Sequence, residues 1–162
     1  IILISHILSN IIIGIIFRNK NIPTSDNYIS KKTNCQSFGA LFSLSIKKSV
    51  NTLFMISGIV TSFLIVSTLV CHILVLNDRL SVLVKAVLEM TMGLSSLSLL
   101  NINDIYKVII SSMIISFGGL SIHMQVISIL DDKIRYRNYF IGRLYQVFLS
   151  IIFSAMFFKL FA

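Results

Sequence analysis

Charge is scarce in this sequence: only 12% of its 162 residues are Asp, Glu, Lys or Arg, while 56% are hydrophobic and mean hydropathy is +0.91. A soluble domain of this size needs far more polar surface, so a multispanning membrane protein is implied. Proline occurs once and glycine seven times, which argues against a fibrous or disordered chain. Runs of about ten residues with alternating polarity are missing, which argues against a transmembrane β-barrel. The two cysteines, Cys35 and Cys71, make no CxxC and no metal-ligand spacing, so a structural disulfide is not expected. HExxH, GxSxG and Walker patterns are absent, and Asp131-Asp132 has no carboxylate partner. The expectation is therefore no enzyme, no cofactor and no metal. The opening "IILISHILSNIIIGIIF" lacks both an initiator methionine and a basic leader. It reads as a helix entered part-way rather than a signal peptide, and the chain as a fragment or second half of something longer.

Acidic residues number six against fourteen Lys and Arg, a net charge of +8. Nucleic acid is excluded as a partner, because no binding motif accompanies the charge and the basic residues flank apolar spans. Such residues mark cytoplasmic loops. Against the roughly 20 residues a spanning helix needs, spans are expected at about 1–17, 51–76, 107–130 and 139–162. An interfacial helix at 38–50 ends in Lys47 and Lys48 and leads into the second span. "NDRLS" after it reads as a tight loop.

The block Leu80–Leu100 is different, carrying Lys85, Glu89 and then "TMGLSS". If it crossed the bilayer, the basic loops 18–37 and 131–138 would fall on opposite sides. If it enters and leaves on one side, both are cytoplasmic, as the positive-inside rule prefers. A re-entrant hairpin over 80–100 with its tip near "TMGLSS" is predicted. The fold class is an all-α membrane protein: a helical bundle with an interfacial helix, a re-entrant hairpin and a discontinuous transmembrane helix.

Irregular backbone inside a bilayer must be covered by protein or by a water-filled cavity. Two stretches are expected to be irregular, "EMTMGLSS" and "FGGLS". In each, glycine (Gly93, Gly118, Gly119) breaks the helix and serine (Ser95, Ser121) caps the next one. Two restarted helices then present their positive ends to a common anion. Ser111, Gly118, Ser121, Gln125 and Ser128 share one helical face, as do Arg143, Gln146, Ser150 and Ser154. These stripes line a path or simply pack helices together. Glu89 is a candidate for binding a proton or cation, or the partner of Lys85 one turn earlier. His123 is a candidate proton relay or a packed core histidine. His6 and His72 carry no comparable pattern. Arg143 either snorkels to the interface or clamps a carboxylate, with Arg135 and Arg137 as the cytoplasmic approach.

The stretches "EMTMG" (89–93), "FGGLSIHMQVISIL" (117–130), "IRY" (134–136) and "RLYQ" (143–146) resemble the sporulation integral membrane proteins of the YlbJ type. Those proteins are placed with nucleoside-recognition or Gate-domain proteins. The resemblance covers nearly all of this chain and the C-terminal half of a typical member. It implies one repeat of a transporter, with interfacial helix, span, hairpin and unwound span in that order. The implied ligand is a small organic anion, dipicolinate, moved across the outer forespore membrane during endospore formation. The implied binding residues are Glu89, Thr91, Gly93, Gly118, Gly119, Gln125, Arg135 and Arg143. The implied partners are the lipid bilayer, the anion, and a missing N-terminal repeat or a second copy. The rival expectations are a non-transporting scaffold for the spore envelope or cortex, sensitive at packing glycines such as Gly58 and Gly142, and a nucleoside or ion permease of the same architecture.

Overall fold

The computed structural model describes residues 1–18, 37–130 and 135–161. The expected cytoplasmic loops, 18–37 and 131–138, lie largely outside the described residues. Within them the chain is helical throughout: α1 (Ile2–Ile16), α2 (Phe38–Ile73), α3 (Asp78–Leu88), α4 (Met90–Leu99), α5 (Asp104–Phe117), α6 (Gly119–Ile129) and α7 (Tyr136–Phe161). By length and composition, α2, the α5–α6 pair and α7 can each cross a membrane, while α1 is a shorter apolar helix. The chain is an all-α membrane protein.

Its interior is inverted relative to a water-soluble domain. Among the described residues, eleven polar side chains are buried against four apolar ones, and large aliphatic and aromatic side chains cover the outside. That distribution suits a hydrocarbon solvent, where helices gain nothing by hiding leucine and associate through small residues instead. Ser9, Ser67, Ser150 and Ser154 return their hydroxyls to carbonyls of their own helices. This satisfies each donor locally and leaves a flat surface for the neighbour. Ser150 Oγ also lies 3.4 Å from the Ser112 carbonyl, where α7 meets α5. Helix α1 packs against α7 and α5, and α2 against α3 and α6.

Helix α2 runs 36 residues without a break, about 54 Å at 1.5 Å per residue. A separate interfacial helix at 38–50 is therefore not present as its own element. No Gly or Pro interrupts the chain near Lys47 and Lys48. Ser45 and Thr52 bond back to Leu41 and Lys48 carbonyls instead of capping a new start. "NDRLS" is likewise not a loop: Asn77 Oδ1 accepts from Leu80 N at 2.9 Å and opens α3.

Block 80–100 folds into two antiparallel arms, α3 and α4, which turn at Glu89. With 11 and 10 residues, each arm is about 15 Å long, half a hydrocarbon core. The turn sits a little before "TMGLSS", because Gly93 belongs to the packing face and does not break the helix. A Cβ at Gly93 would fall inside contact distance of the Ala86 backbone. Gly93→Ala is thus expected to lower stability by about 1–3 kcal/mol through overpacking. Gly58, where an added methyl group would meet nothing within 4 Å, should tolerate alanine. Thermal unfolding of both variants in detergent measures the contrast.

Candidate functional site

The break between α5 and α6 is made by two consecutive glycines in the left-handed region, Gly118 (φ +84°) and Gly119 (φ +72°). Gly118 N closes α5 on the Ile114 carbonyl at 2.8 Å. Both glycines are buried, and the hairpin turn is what covers Gly119. A Cβ on Gly119 would lie 3.1 Å from Met90 N, 3.2 Å from the Ala86 carbonyl oxygen and 3.3 Å from that of Leu88. The start of α4 and the start of α6 therefore meet at one junction, walled by backbone.

Glu89 occupies that junction at 3% exposure. Its backbone is extended (φ −146°, ψ 121°), and its carboxylate accepts from Met92 N at 2.8 Å and from the Thr91 hydroxyl. The cap of α4 is thus a carboxylate, which satisfies an orphan amide and matches the positive helix end. Neither expected serine performs this task. Ser95 is exposed within α4, and Ser121 accepts from Gln125 Nε2 at 3.2 Å, one turn inside α6. The start of α6 has no side-chain cap. Lys85 reaches Ser96 Oγ at 3.2 Å across the hairpin. The extended backbone at Glu89 removes the helical geometry that an i,i+4 pair with Lys85 requires.

Helix α7 fastens both sides of the break. Toward α6, the Tyr136 hydroxyl and His123 Nδ1 share a 2.7 Å hydrogen bond. The His123 ring is packed among Phe117, Tyr139 and Phe140, with centroids 4.9–5.7 Å apart. Toward α5, Arg143 Nη1 donates to the Ser116 carbonyl (3.3 Å) and to Gln146 Oε1 (3.0 Å), while Nε donates to the Tyr139 hydroxyl (2.8 Å). A guanidinium on a carbonyl of the last helical turn satisfies an orphan acceptor and opposes the negative helix end. Helix α1 joins through His6, whose Nδ1 accepts from Gln146 Nε2 at 3.3 Å and lies 3.4 Å from Ser116 Oγ.

The predicted residues accordingly divide. Glu89, Gly119 and the exposed Thr91 come together at the junction, while Gly93 packs on Ala86 and Gly118 on Ile122, and His123 and Arg143 lie just behind. Gln125 is half-buried on α6, whereas Ser95, Arg135 and Arg137 are exposed. The buried positions of α5 are Ser112 and Ser116 rather than Ser111. Sequence reasoning does not reach His6, Ser116, Tyr136 and Tyr139 as partners. Tyr136 stands in the "IRY" stretch, but nothing in the spacing ties His6 to a helix 140 positions away. Beside the junction, the hairpin, α5 and α7 enclose a cavity of about 610 Å³ with walls that include Val82, Ala86, Leu97, Ile114 and Val147.

The sporulation integral membrane protein YlbJ of Bacillus subtilis (strain 168) is 25% identical to this chain over an alignment of 193 residues that takes in 96% of the chain. The chain is thus similar to a sporulation integral membrane protein of the YlbJ type. It spans about half (47%) of the length of that curated relative. No protein-family model matches the chain, and no solved structure does. Of the stretches quoted above for that resemblance, 89–93 and the start of 117–130 meet at the junction, and 143–146 lies behind it.

Proposed function

We propose that the chain is the C-terminal half of a sporulation transporter that carries a small organic anion, dipicolinate, across the outer forespore membrane. The carrying observation is the junction, where two interrupted helices begin side by side at Met90 and Gly119 within reach of a buried Glu89. Paired helix starts attract anions, and the name of the YlbJ relative supplies the sporulation setting. Glu89 sets a condition on this reading. Its carboxylate already fills the start of α4, so a carboxylate guest meets the uncapped start of α6 and displaces Glu89 from Met92 N to reach that of α4. The chain performs no covalent chemistry in this scheme, and the other half of the protein, or a second copy, completes the path.

Gln125→Ala tests it. Among the described residues the Gln125 side chain bonds only within its own helix turn, to Ser121, so its loss leaves their packing intact. Dipicolinate uptake into proteoliposomes, and dipicolinate content of spores, should fall about tenfold, as for a lost hydrogen bond to the charged guest. Normal uptake by a variant that reaches the membrane overturns the proposal. Uptake of nucleosides or inorganic ions in place of dipicolinate would assign a different permease.

A scaffold role in the spore envelope is the second reading. It draws support from the buried serines, which bond to their own helices and leave packing surfaces. Its sensitive glycine is Gly93 rather than Gly58 or Gly142, both of which face open space or a single side-chain atom at 3.9 Å.

A further inference from the structure

Helices α1 and α7 leave a second cavity between them, about 570 Å³, on the side of Arg143 away from the hairpin. Its walls combine Asn10, Asn138, Tyr139, Arg143 and Gln146 with the apolar Ile13 and Phe17. Gly14 and Gly142 hold it open: a Cβ at Gly14 would meet nothing within 4 Å, and one at Gly142 only Ile13 Cγ2 at 3.9 Å. Asn10 is an exposed amide in the middle of a mostly apolar helix, a placement that costs free energy in lipid unless something polar meets it.

Among the described residues Arg143 is the only charge in the cavity wall, and no Asp or Glu faces it there. A guanidinium has five N–H donors. Nε and Nη1 are engaged by Tyr139, Ser116 and Gln146, which leaves the Nη2 pair without an acceptor among the described residues. Donors so placed call for an oxyanion, a phosphate or a carboxylate. The depth of the cavity selects its source. Arg143 lies seven residues into α7 and Asn10 six residues before the end of α1, each about 10 Å from the shared end of the two helices. Helix α7, 26 residues long, measures about 39 Å against a hydrocarbon core of about 30 Å, which puts both residues a few ångströms below the headgroup boundary of a bilayer. Arg18, Arg135 and Arg137, all exposed, stand at the same end, and the Phe17 and Tyr145 rings meet beside it at 5.7 Å. Aromatic rings and basic residues at that level are the usual surroundings of an anionic headgroup.

We propose that this cleft holds the headgroup of one anionic phospholipid, its phosphate on Arg143 Nη2, its polar rim on Asn10 and Asn138, and its glycerol against Ile13 and Phe17. The site is independent of the transport reading and survives failure of the dipicolinate assays.

The test is lipid binding by the full chain in detergent, followed by native mass spectrometry and thermal unfolding, with phosphatidylglycerol, phosphatidylcholine or inorganic phosphate added. One phosphatidylglycerol should bind per chain, about tenfold tighter than phosphatidylcholine, whose phosphate offers Arg143 the same oxygens but brings a choline cation beside Arg18, Arg135 and Arg137. Gly142→Leu fills the cleft and should abolish the preference. Should that variant fail to fold, the double variant Asn10→Leu, Asn138→Leu, which touches only exposed side chains, should lower it by a comparable factor. Equal binding of the two lipids overturns the proposal, as does a preference unchanged in these variants. Binding of inorganic phosphate as tight as that of phosphatidylglycerol assigns the cleft to a soluble anion and overturns the lipid assignment.

Discussion

Gly119→Ala is expected to be among the most damaging single-atom additions in the protein, lowering stability by about 2–5 kcal/mol and melting the junction first. Two costs combine. A side chain at φ +72° sits in the left-handed region, at roughly 1–2 kcal/mol. The added Cβ would also press at 3.1–3.3 Å on Met90 N and the carbonyls of Ala86 and Leu88, and overpacking of that kind costs about 1–3 kcal/mol. Those atoms are backbone of the hairpin turn, so no rotamer change relieves them. Gly118→Ala is the informative comparison. Its φ is just as positive, but its neighbours at 3.2–3.4 Å all belong to the Ile122 side chain, of which Cδ1 and Cγ2 can rotate away and only Cβ cannot. Thermal unfolding in detergent should rank wild type above Gly118→Ala and Gly118→Ala above Gly119→Ala. Protease cleavage within 85–95 should increase only in the Gly119 variant. Equal tolerance of both substitutions would mean that the hairpin turn does not lean on the break, and the junction would lose its physical basis.

How far this arrangement can be read in advance depends on whether the responsible chemistry is local. The position of the α5–α6 break is legible because two adjacent glycines in an apolar run have few other uses. The hairpin is legible because loop charges and the Lys85–Glu89 pair disfavour a straight span. Its turn comes a few residues earlier than the sequence suggests, since glycine there is no helix breaker. Gly93 is a contact surface, and Glu89 provides both the stop of α3 and the cap of α4. A carboxylate that caps from inside a turn looks, in one dimension, like any helical glutamate. The split expected at residue 50 fails for the opposite reason. Two lysines flanked by Ser and Asn look like an interface, but nothing there removes a backbone donor or changes φ, so α2 continues. His6 is out of reach altogether, because its partners Ser116 and Gln146 are brought to it only by the packing of α1 on α5 and α7.

Arg143→Leu should be the other large effect, and it separates two roles for the same side chain. As a clamp awaiting a ligand, Arg143 would be idle in the empty protein, and its removal would leave folding unchanged. The geometry gives it occupation already: it links the Ser116 carbonyl of α5, Gln146 and Tyr139 and stacks on the Tyr139 ring with Cζ 5.2 Å from the centroid. Ser116 is fully buried and Gln146 is 3% exposed, so water does not replace what leucine removes. Each unsatisfied buried group costs about 1–3 kcal/mol, and two of them predict a loss of about 2–6 kcal/mol. Arg143→Lys retains the charge but not a planar fork that reaches three acceptors, so it should recover part of the loss and not all of it. Gln146→Leu, which removes an acceptor and frees His6 while sparing the Ser116 bond, should fall between lysine and leucine at 143. The order matters more than the size. A side chain that holds the last carbonyls of α5 in place sets the angle at which α6 restarts, so whatever the junction binds is felt through Arg143 on the α1 side. If Arg143→Leu melts like wild type, that connection between junction and cleft does not exist.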